Sequence, residues 1–205
     1  AGLVHLTGLT SVKSLILANT RITDAGLVHL TGLTSLERLA LVSTKITDAG
    51  LKHLKGLTSL QQLALGDTRV TDAGLAHLKG LTNLKILGLD GTKVTEAGVK
   101  ELKEVLTSCH IQYSPLHQPD AGSPEAQPKG RTPAQKTAAT KPAPKEAIAS
   151  IKKLGGRVEL DENKAVVMVN LGGTKVTDTG LVHLKGLTKL ETLGLHYTKV
   201  TDAGL

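Results

Sequence analysis

Apolar residues recur along this chain in a unit of 24 residues. Residues 33–56 read LTSLERLALVSTKITDAGLKHLKG, and residues 57–80 read LTSLQQLALGDTRVTDAGLAHLKG, with 17 of the 24 positions identical. The same frame covers 9–32 and 81–104 and returns at 166–186 and 187–205. Self-similarity at such a period is typical of a solenoid, in which each unit buries its apolar face against its neighbours.

Each unit predicts one strand and one short helix. In the second unit, leucines alternate with other residues over 36–41, as in a strand with one buried face. Thr47 then offers a capping hydroxyl, and Asp48 places a negative charge in the first turn of a helix. Leu51 and Leu54, three residues apart, lie on one face of that helix. Stacked units therefore predict a parallel sheet on one side and helices on the other.

The chain divides into two arrays and a segment between them. All seven prolines lie between Pro115 and Pro144, in a Pro/Ala/Lys-rich stretch with little apolar periodicity. Such a composition favours a disordered linker. The predicted domains are an array with a C-terminal cap at 1–113, the linker at 114–145, and a second array with an N-terminal cap at 146–205, truncated at its C-terminus. A single array with a proline-rich insertion is the alternative.

Both predicted caps follow from departures from the unit. Glu104 replaces the glycine that ends the other helices, so this helix is expected to run on, with Cys109 and Ile111 closing the core. Downstream of the linker, a short amphipathic helix precedes two predicted strands at 157–161 and 165–171. A solenoid needs its first coil covered, and this hairpin is expected to cover it.

The pattern LxxLxLxxTxITDAGLxHLxG resembles the leucine-rich repeat superfamily, and is similar to its shorter bacterial members related to the cysteine-containing and ribonuclease-inhibitor-like subtypes. The resemblance implies an α/β solenoid with a parallel sheet on the concave side and short helices on the convex side. The position usually filled by Asn or Cys, which bonds the neighbouring coil, is threonine in this chain. We expect the threonine hydroxyls to serve in the same way. These residues are Thr20, Thr44, Thr68, Thr92, Thr174 and Thr198.

Composition and charge exclude several classes of function. Aromatic residues make up 1% of the chain, which argues against base-stacking platforms and aromatic cages. The net charge of +7 is spread along the chain. It is +3 in the first array (1–113), +3 in the linker (114–145) and +1 in the second array (146–205). A nucleic-acid surface needs this charge concentrated on one face, so no specific nucleic-acid binding is expected. No apolar run approaches the ~20 residues of a membrane span.

The residues that could carry out catalysis or bind a metal are better explained as structural parts of the repeat. Five histidines repeat with the unit, but the helices that carry them pack ~8–10 Å apart, too far to share a metal ion. Residues 172–175 read GGTK, which does not complete the sequence motif of a phosphate-binding loop. The same position of the repeat unit reads DGTK at 90–93, so this stretch is the ordinary turn after a strand. Cys109 fits a buried cap cysteine better than a nucleophile. We therefore predict no enzyme, metal or cofactor, and no small-molecule substrate is evident. The repeated histidines are His5, His29, His53, His77 and His183.

Variation between units is concentrated in the strand positions that face the concave side. A solvated face can drift in this way without function, yet concave faces of solenoids often hold protein partners. We take these positions as candidate binding residues. They are Ser14, Ile16, Arg38, Val42, Gln62, Asp67, Ile86, Asp90, Met168, Asn170, Thr192, His196 and Tyr197.

Three functions remain after these exclusions. The first is a non-catalytic protein–protein interaction module that binds its partner on the concave face. The second is a structural or cell-envelope scaffold, since the units are nearly identical. The third is implied by the resemblance, since proteins with similar ITDAGL repeats include substrate receptors of ubiquitin ligases. It is the recognition part of a longer multidomain protein, such as a ubiquitin-ligase-like receptor.

Overall fold

Eight strands form one sheet in the computed structural model, which describes residues 3–114 and 144–202. The sheet order is β5-β4-β3-β2-β1-β8-β7-β6, and all pairs are parallel except β6–β7. The predicted α/β solenoid is confirmed. The strands are β1 Ser14–Ile16, β2 Arg38–Ala40, β3 Gln62–Ala64, β4 Ile86–Gly88, β5 His110–Gln112, β6 Arg157–Leu160, β7 Val166–Asn170 and β8 Thr192–Gly194.

Short helices alternate with the strands, and leucines fill the space between the two layers. The central residue of each short strand is buried, as Leu39 and Leu63 illustrate at 2% and 1% exposure. Leu51 and Leu54, from the helical side of the same coil, are fully buried. The α-helices are α1 Asp24–Leu27, α2 Asp48–Leu51, α3 Asp72–Leu75, α4 Glu96–Val105 and α5 Pro144–Lys153, and the 3₁₀ helices are Leu3–Leu6, Val28–Leu30, Lys52–Leu54 and Asp178–Leu184.

The repeated threonines stabilise their own coil. Thr44 Oγ1 donates to the carbonyl oxygen of Leu41 at 2.6 Å, three residues back. The expectation that these hydroxyls bond the neighbouring coil is wrong, because the closest acceptor is the carbonyl at the end of the preceding strand. The same bond is made by Thr20, Thr68, Thr92, Thr174 and Thr198.

Neighbouring coils are joined instead by what we call the Asp–Thr ladder. Asp48 accepts hydrogen bonds from Thr71 N at 2.8 Å and from Thr71 Oγ1 at 2.7 Å, so one carboxylate binds the start of the next helix. Gly74 lies against the same carboxylate, and a Cβ there would overlap Asp48 Oδ1. The ladder therefore explains the glycines at Gly50, Gly74 and Gly98, each of which lies against the ladder carboxylate of the preceding coil. Its other rungs are Asp24–Thr47, Asp72–Thr95, Asp178–Thr201 and Asp202–Thr23.

Both ends of the sheet have the features that the sequence predicts for caps. Helix α4 runs ten residues, from Glu96 to Val105, and Cys109 and Ile111 beyond it are each 8% exposed. At the other end, α5 precedes the antiparallel pair β6–β7, whose turn is held by Asp161 Oδ1 accepting from Ala165 N at 2.8 Å. Strands β5 and β6 are consequently the two edges of the sheet.

The two predicted arrays lie side by side in this one sheet. Strand β8 pairs with β1 in parallel, with Leu193 opposite Leu15. The second array therefore sits beside the beginning of the first array, not beyond its end. The predicted linker lies outside the described residues, apart from Ser114 and the start of α5.

Candidate functional site

The strand register places the variable positions in two parallel columns on the outer face of the sheet, which we call the strand face. Pairing is one to one between neighbouring strands, because every unit has the same length. The first column runs Met168, Thr192, Ser14, Arg38, Gln62, Ile86 and His110. The second column runs Asn170, Gly194, Ile16, Ala40, Ala64, Gly88 and Gln112.

A depression of about 400 Å³ lies on the strand face between β1 and β5. Three small residues of the second column, Ala40, Ala64 and Gly88, form its floor. Exposed side chains of the first column stand beside that floor, including Ile86, which is 39% exposed. We call this depression the trough. The predicted binding residues that line it are Ser14, Ile16, Arg38, Gln62 and Ile86.

Ser14 and Arg38 differ in what they offer to a ligand. Ser14 is 6% exposed, so it contributes to the wall and presents little surface. Arg38 is exposed, and within residues 3–114 and 144–202 its guanidinium makes no ion pair and no side-chain hydrogen bond. The ion pairs in that part of the chain are Lys13–Glu191 and Lys79–Glu101. Arg38 therefore supplies an unneutralised positive charge beside the trough.

The other predicted residues lie along the same surface but outside the trough. Three of them lie two residues beyond the end of a strand: Val42, Asp90 and His196. Asp67 lies beside Asp90 in the preceding coil, and its backbone N donates to Asp90 O at 2.9 Å. Met168, Thr192 and Asn170 continue the two columns onto β7 and β8. Asn170 Oδ1 accepts from Gly172 N at 2.8 Å, so that side chain already holds a turn.

A separate corner forms where β8 ends. The His196 ring lies over Gly172, where a Cβ would overlap the ring, and meets the Tyr197 ring edge-on with centroids 5.9 Å apart. His196 Nδ1 is buried and has no hydrogen-bond partner in the described part of the chain. Tyr197 is 66% exposed. Both residues are candidates from the sequence, but the structure separates them from the trough.

One residue per coil adopts a left-handed backbone immediately after the strand-face positions. Asp67 has φ of 54° and Tyr197 has φ of 54°, a conformation that costs most side chains about 1 kcal/mol. The sequence carried a signal for this column, since most of its members are Asn, Ser, Asp or Gly. The remaining members are Asn19, Ser43, Gly91 and Gly173.

Sequence reasoning missed the end of the trough. Gln112 on β5 lines it, and His110 extends the first column past Ile86. Both positions belong to the capping segment, where the 24-residue pattern stops, so comparing units could not align them. The spacing of 24 residues from Ile86 to His110 was the available signal.

Two groups among the described residues, the half-buried His5 and the buried Cys109, have shifted pKa values, and neither lies in the trough. Burial raises the pKa of the Cys109 thiol. Burial first, and the charge of Lys185 second, lower the pKa of His5 below 6.5. Within 3–114 and 144–202 no group of three or more His, Cys, Asp or Glu residues could hold a metal ion. No helix of this same part is long and apolar enough to cross a membrane.

Comparison with known proteins agrees with the repeat pattern. A family model described as a leucine-rich repeat matches residues 8–30 and 32–55. No curated protein matches the chain. An internalin C2 from Listeria monocytogenes is similar to it at 32% identity over 55% of this chain and 48% of that chain, with a TM-score of 0.45.

Two further solved structures are similar over comparable lengths. An internalin F from Listeria monocytogenes is 22% identical over 55% of this chain and 37% of that chain, with a TM-score of 0.39. A leucine-rich repeat protein from Leptospira interrogans is 26% identical over 53% of this chain and 33% of that chain, with a TM-score of 0.39. The matched region spans less than half the length of each of the three structures. With the family match, the 24-residue unit and the parallel sheet in agreement, the chain is built of leucine-rich repeats.

Proposed function

We propose that this chain is a non-catalytic protein-interaction module that holds a segment of a partner protein in the trough of the strand face. Leucine-rich repeat folds commonly mediate protein–protein interaction, and their strand faces offer an extended surface. The observation that carries the proposal is the contrast between the two columns, with small residues at Ala40, Ala64 and Gly88 beside long ones at Arg38, Gln62 and Ile86.

The dimensions of the trough suit large side chains of a partner. Neighbouring strands lie about 4.8 Å apart, so the floor from Ala40 to Gly88 extends for about 10 Å. Positions two apart along a strand are separated by about 7 Å, which sets the distance between the columns. A floor of these dimensions accommodates one or two aromatic or aliphatic side chains. Ile86 gives such side chains an apolar contact.

The charge of Arg38 specifies the polar part of the partner. A guanidinium without a protein partner binds a carboxylate through two parallel hydrogen bonds, which neutralises both charges. Gln62, in register with Arg38 on the next strand, offers a further donor and acceptor. The proposed ligand is therefore a segment in which an acidic residue stands next to large apolar residues.

A pair of double variants tests the proposal. Arg38→Ala with Ile86→Ala removes one cation and one apolar contact from the trough. Val28→Ala with Lys52→Ala removes the same two kinds of side chain from the helical side, where both are exposed. Partners captured from cells of the source organism are quantified by mass spectrometry for the unsubstituted chain and for both variants.

A partner that uses the trough will be retained by the helical-side variant and reduced at least tenfold by the trough variant, since central anchors often contribute more than ~1 kcal/mol each. Circular dichroism and melting temperature should be the same for the three chains. Equal capture by both variants would remove the trough from the proposal.

A further inference from the structure

The interface between β1 and β8, which we call the seam, joins two parts of the chain that have no direct covalent connection at that point. The path from β1 to β8 runs through every other strand. Every other parallel pair lies about one repeat apart in sequence, whereas Thr23 and Asp202, which are bonded across the seam, are 179 residues apart. The seam is held by its non-covalent contacts and by whatever tether the rest of the chain provides.

The backbone hydrogen bonds of the seam match those between consecutive repeats. Lys13 N and Ser14 N both donate to Glu191 O, at 2.8 and 3.0 Å. One repeat further, Glu37 N and Arg38 N donate to Lys13 O at 2.8 and 2.9 Å. At the other end of the strand, Leu195 N donates to Ile16 O at 2.8 Å, as Leu17 N donates to Ala40 O at 2.9 Å. The Asp–Thr ladder also crosses the seam, through Thr23 and Asp202.

The seam buries apolar side chains from both coils, and their exposure to water would be unfavourable. Leu3, Leu6 and Leu15 on one side, and Leu193 and Val200 on the other, are at most 1% exposed. Opening the seam would expose these side chains and an unpaired strand edge on each coil, which is a template for pairing with another chain. Each edge is complementary to the other edge, and a second copy of this chain carries both.

We propose that the seam is an exchangeable joint, in which the β8 coil of one chain docks on the β1 coil of a second copy through these same contacts. Intramolecular closure requires the chain to return across the eight-stranded sheet, about 34 Å wide. The thirty peptide steps from Ser114 to Pro144 reach about 100 Å at most, so closure is feasible. A tether of this kind gives an effective concentration on the order of 1 mM. Exchange between copies therefore competes with closure when the chain is folded near that concentration.

Disulfide trapping in the full chain tests both halves of this proposal. Lys13 Nζ and Glu191 Oε2 are 3.2 Å apart, so the two side chains project to the same side of the seam. Lys13→Cys with Glu191→Cys places a cysteine pair across it. The matched control is Lys13→Cys with Glu37→Cys, which places the same pair between β1 and β2. The unsubstituted chain, whose Cys109 is 8% exposed, gives the background.

Each chain is unfolded, refolded under reducing conditions at ~1 µM or ~1 mM, oxidised, and separated on non-reducing denaturing gels. At ~1 µM both double variants should form intramolecular disulfides. At ~1 mM about half of the chains should pair with a second copy, and about half of those pairs combine Lys13→Cys with Glu191→Cys. A mixture of the two single variants should therefore give disulfide-linked dimers for about a quarter of the chains, against about 1% or less at ~1 µM.

Two results would overturn the proposal. If the control pair forms its disulfide and the Lys13/Glu191 pair forms none, β1 and β8 do not pair. If the Lys13/Glu191 pair closes within one chain but the mixed single variants never link at ~1 mM, the seam exists and is not exchangeable.

Discussion

A methyl group at Gly74 is the sharpest probe of the Asp–Thr ladder. A Cβ at this position would overlap Asp48 Oδ1 and lie 3.1 Å from Leu51 Cδ1. The carboxylate cannot swing away freely, because it accepts hydrogen bonds from Thr71 N and Thr71 Oγ1. Gly74→Ala should therefore displace Asp48 and weaken both bonds.

Two opposing terms set the size of this effect. Hydrogen bonds to a charged group contribute about 1.5–3 kcal/mol each, and displacement of the carboxylate weakens two of them. Alanine has a higher helix propensity than glycine, so the change within helix α3 also stabilises the fold by about 1 kcal/mol. The expected net loss is about 2 kcal/mol of unfolding free energy, or a melting temperature lower by about 4–8 °C in a chain of this size.

Urea unfolding followed by circular dichroism measures the loss, with Gly56→Ala as the matched control. No atom lies within 4 Å of a Cβ at Gly56, and its backbone is outside the left-handed region. Gly56→Ala should therefore be neutral or stabilising by up to about 1 kcal/mol. The two glycine-to-alanine changes should differ in sign or by about 2 kcal/mol.

A double-mutant cycle decides whether the carboxylate is the cause. In an Asp48→Ala background the obstacle is gone, so Gly74→Ala should be neutral or slightly stabilising, with a coupling energy above about 1 kcal/mol. The reasoning fails if Gly74→Ala has the same cost in both backgrounds.

Three further predictions concern two buried side chains, Thr44 and Cys109, and the half-buried His5. Thr44→Val removes the 2.6 Å hydrogen bond to Leu41 O and should lower the unfolding free energy by about 1 kcal/mol in urea titrations, whereas an unchanged midpoint would contradict this role. The pKa of His5 is lower in the folded chain than its unfolded value of 6.5, so the unfolded state binds more protons as the pH falls below 6.5. The unsubstituted chain should then lose more stability between pH 7 and pH 5 than His5→Gln, and parallel pH profiles would refute the assignment. Burial raises the pKa of the Cys109 thiol, so iodoacetamide at pH 8 should modify the native chain far more slowly than the chain in urea, and equal rates would place this thiol at the surface.

The sequence predicted the features that depend on the repeat period. Arg38 and Gln62 occupy the same slot of consecutive units, and they are paired in the sheet because each coil has the same length. The extended helix α4 followed from Glu104, which replaces a glycine. The binding role of the strand-face residues remains a prediction.

Other features depend on contacts that the period does not specify. Asp24 bonds Thr47 in the next coil, 23 residues on, and the pattern within one unit does not indicate this partner. The pairing of β8 with β1 is not specified by the sequence, because near-identical units present near-identical edges. Leu15 pairs with Leu39 on one side and with Leu193 on the other, in the same register. The repeat pattern in the sequence therefore cannot show which strand lies beside β1 on its second side.

The seam also has a consequence for the order of folding. Contacts between consecutive repeats close loops of about 23 residues, as at Asp24 and Thr47, whereas the contact between Thr23 and Asp202 spans 179. Folding rates fall as the mean sequence separation of native contacts rises, because loop closure must precede the contacts that reward it. The β1–β5 stack and the β6–β8 stack can each grow from local contacts, and their docking comes last. Its rate is then set by how fast two preformed stacks meet, so destabilising a single repeat should alter unfolding more than this final step.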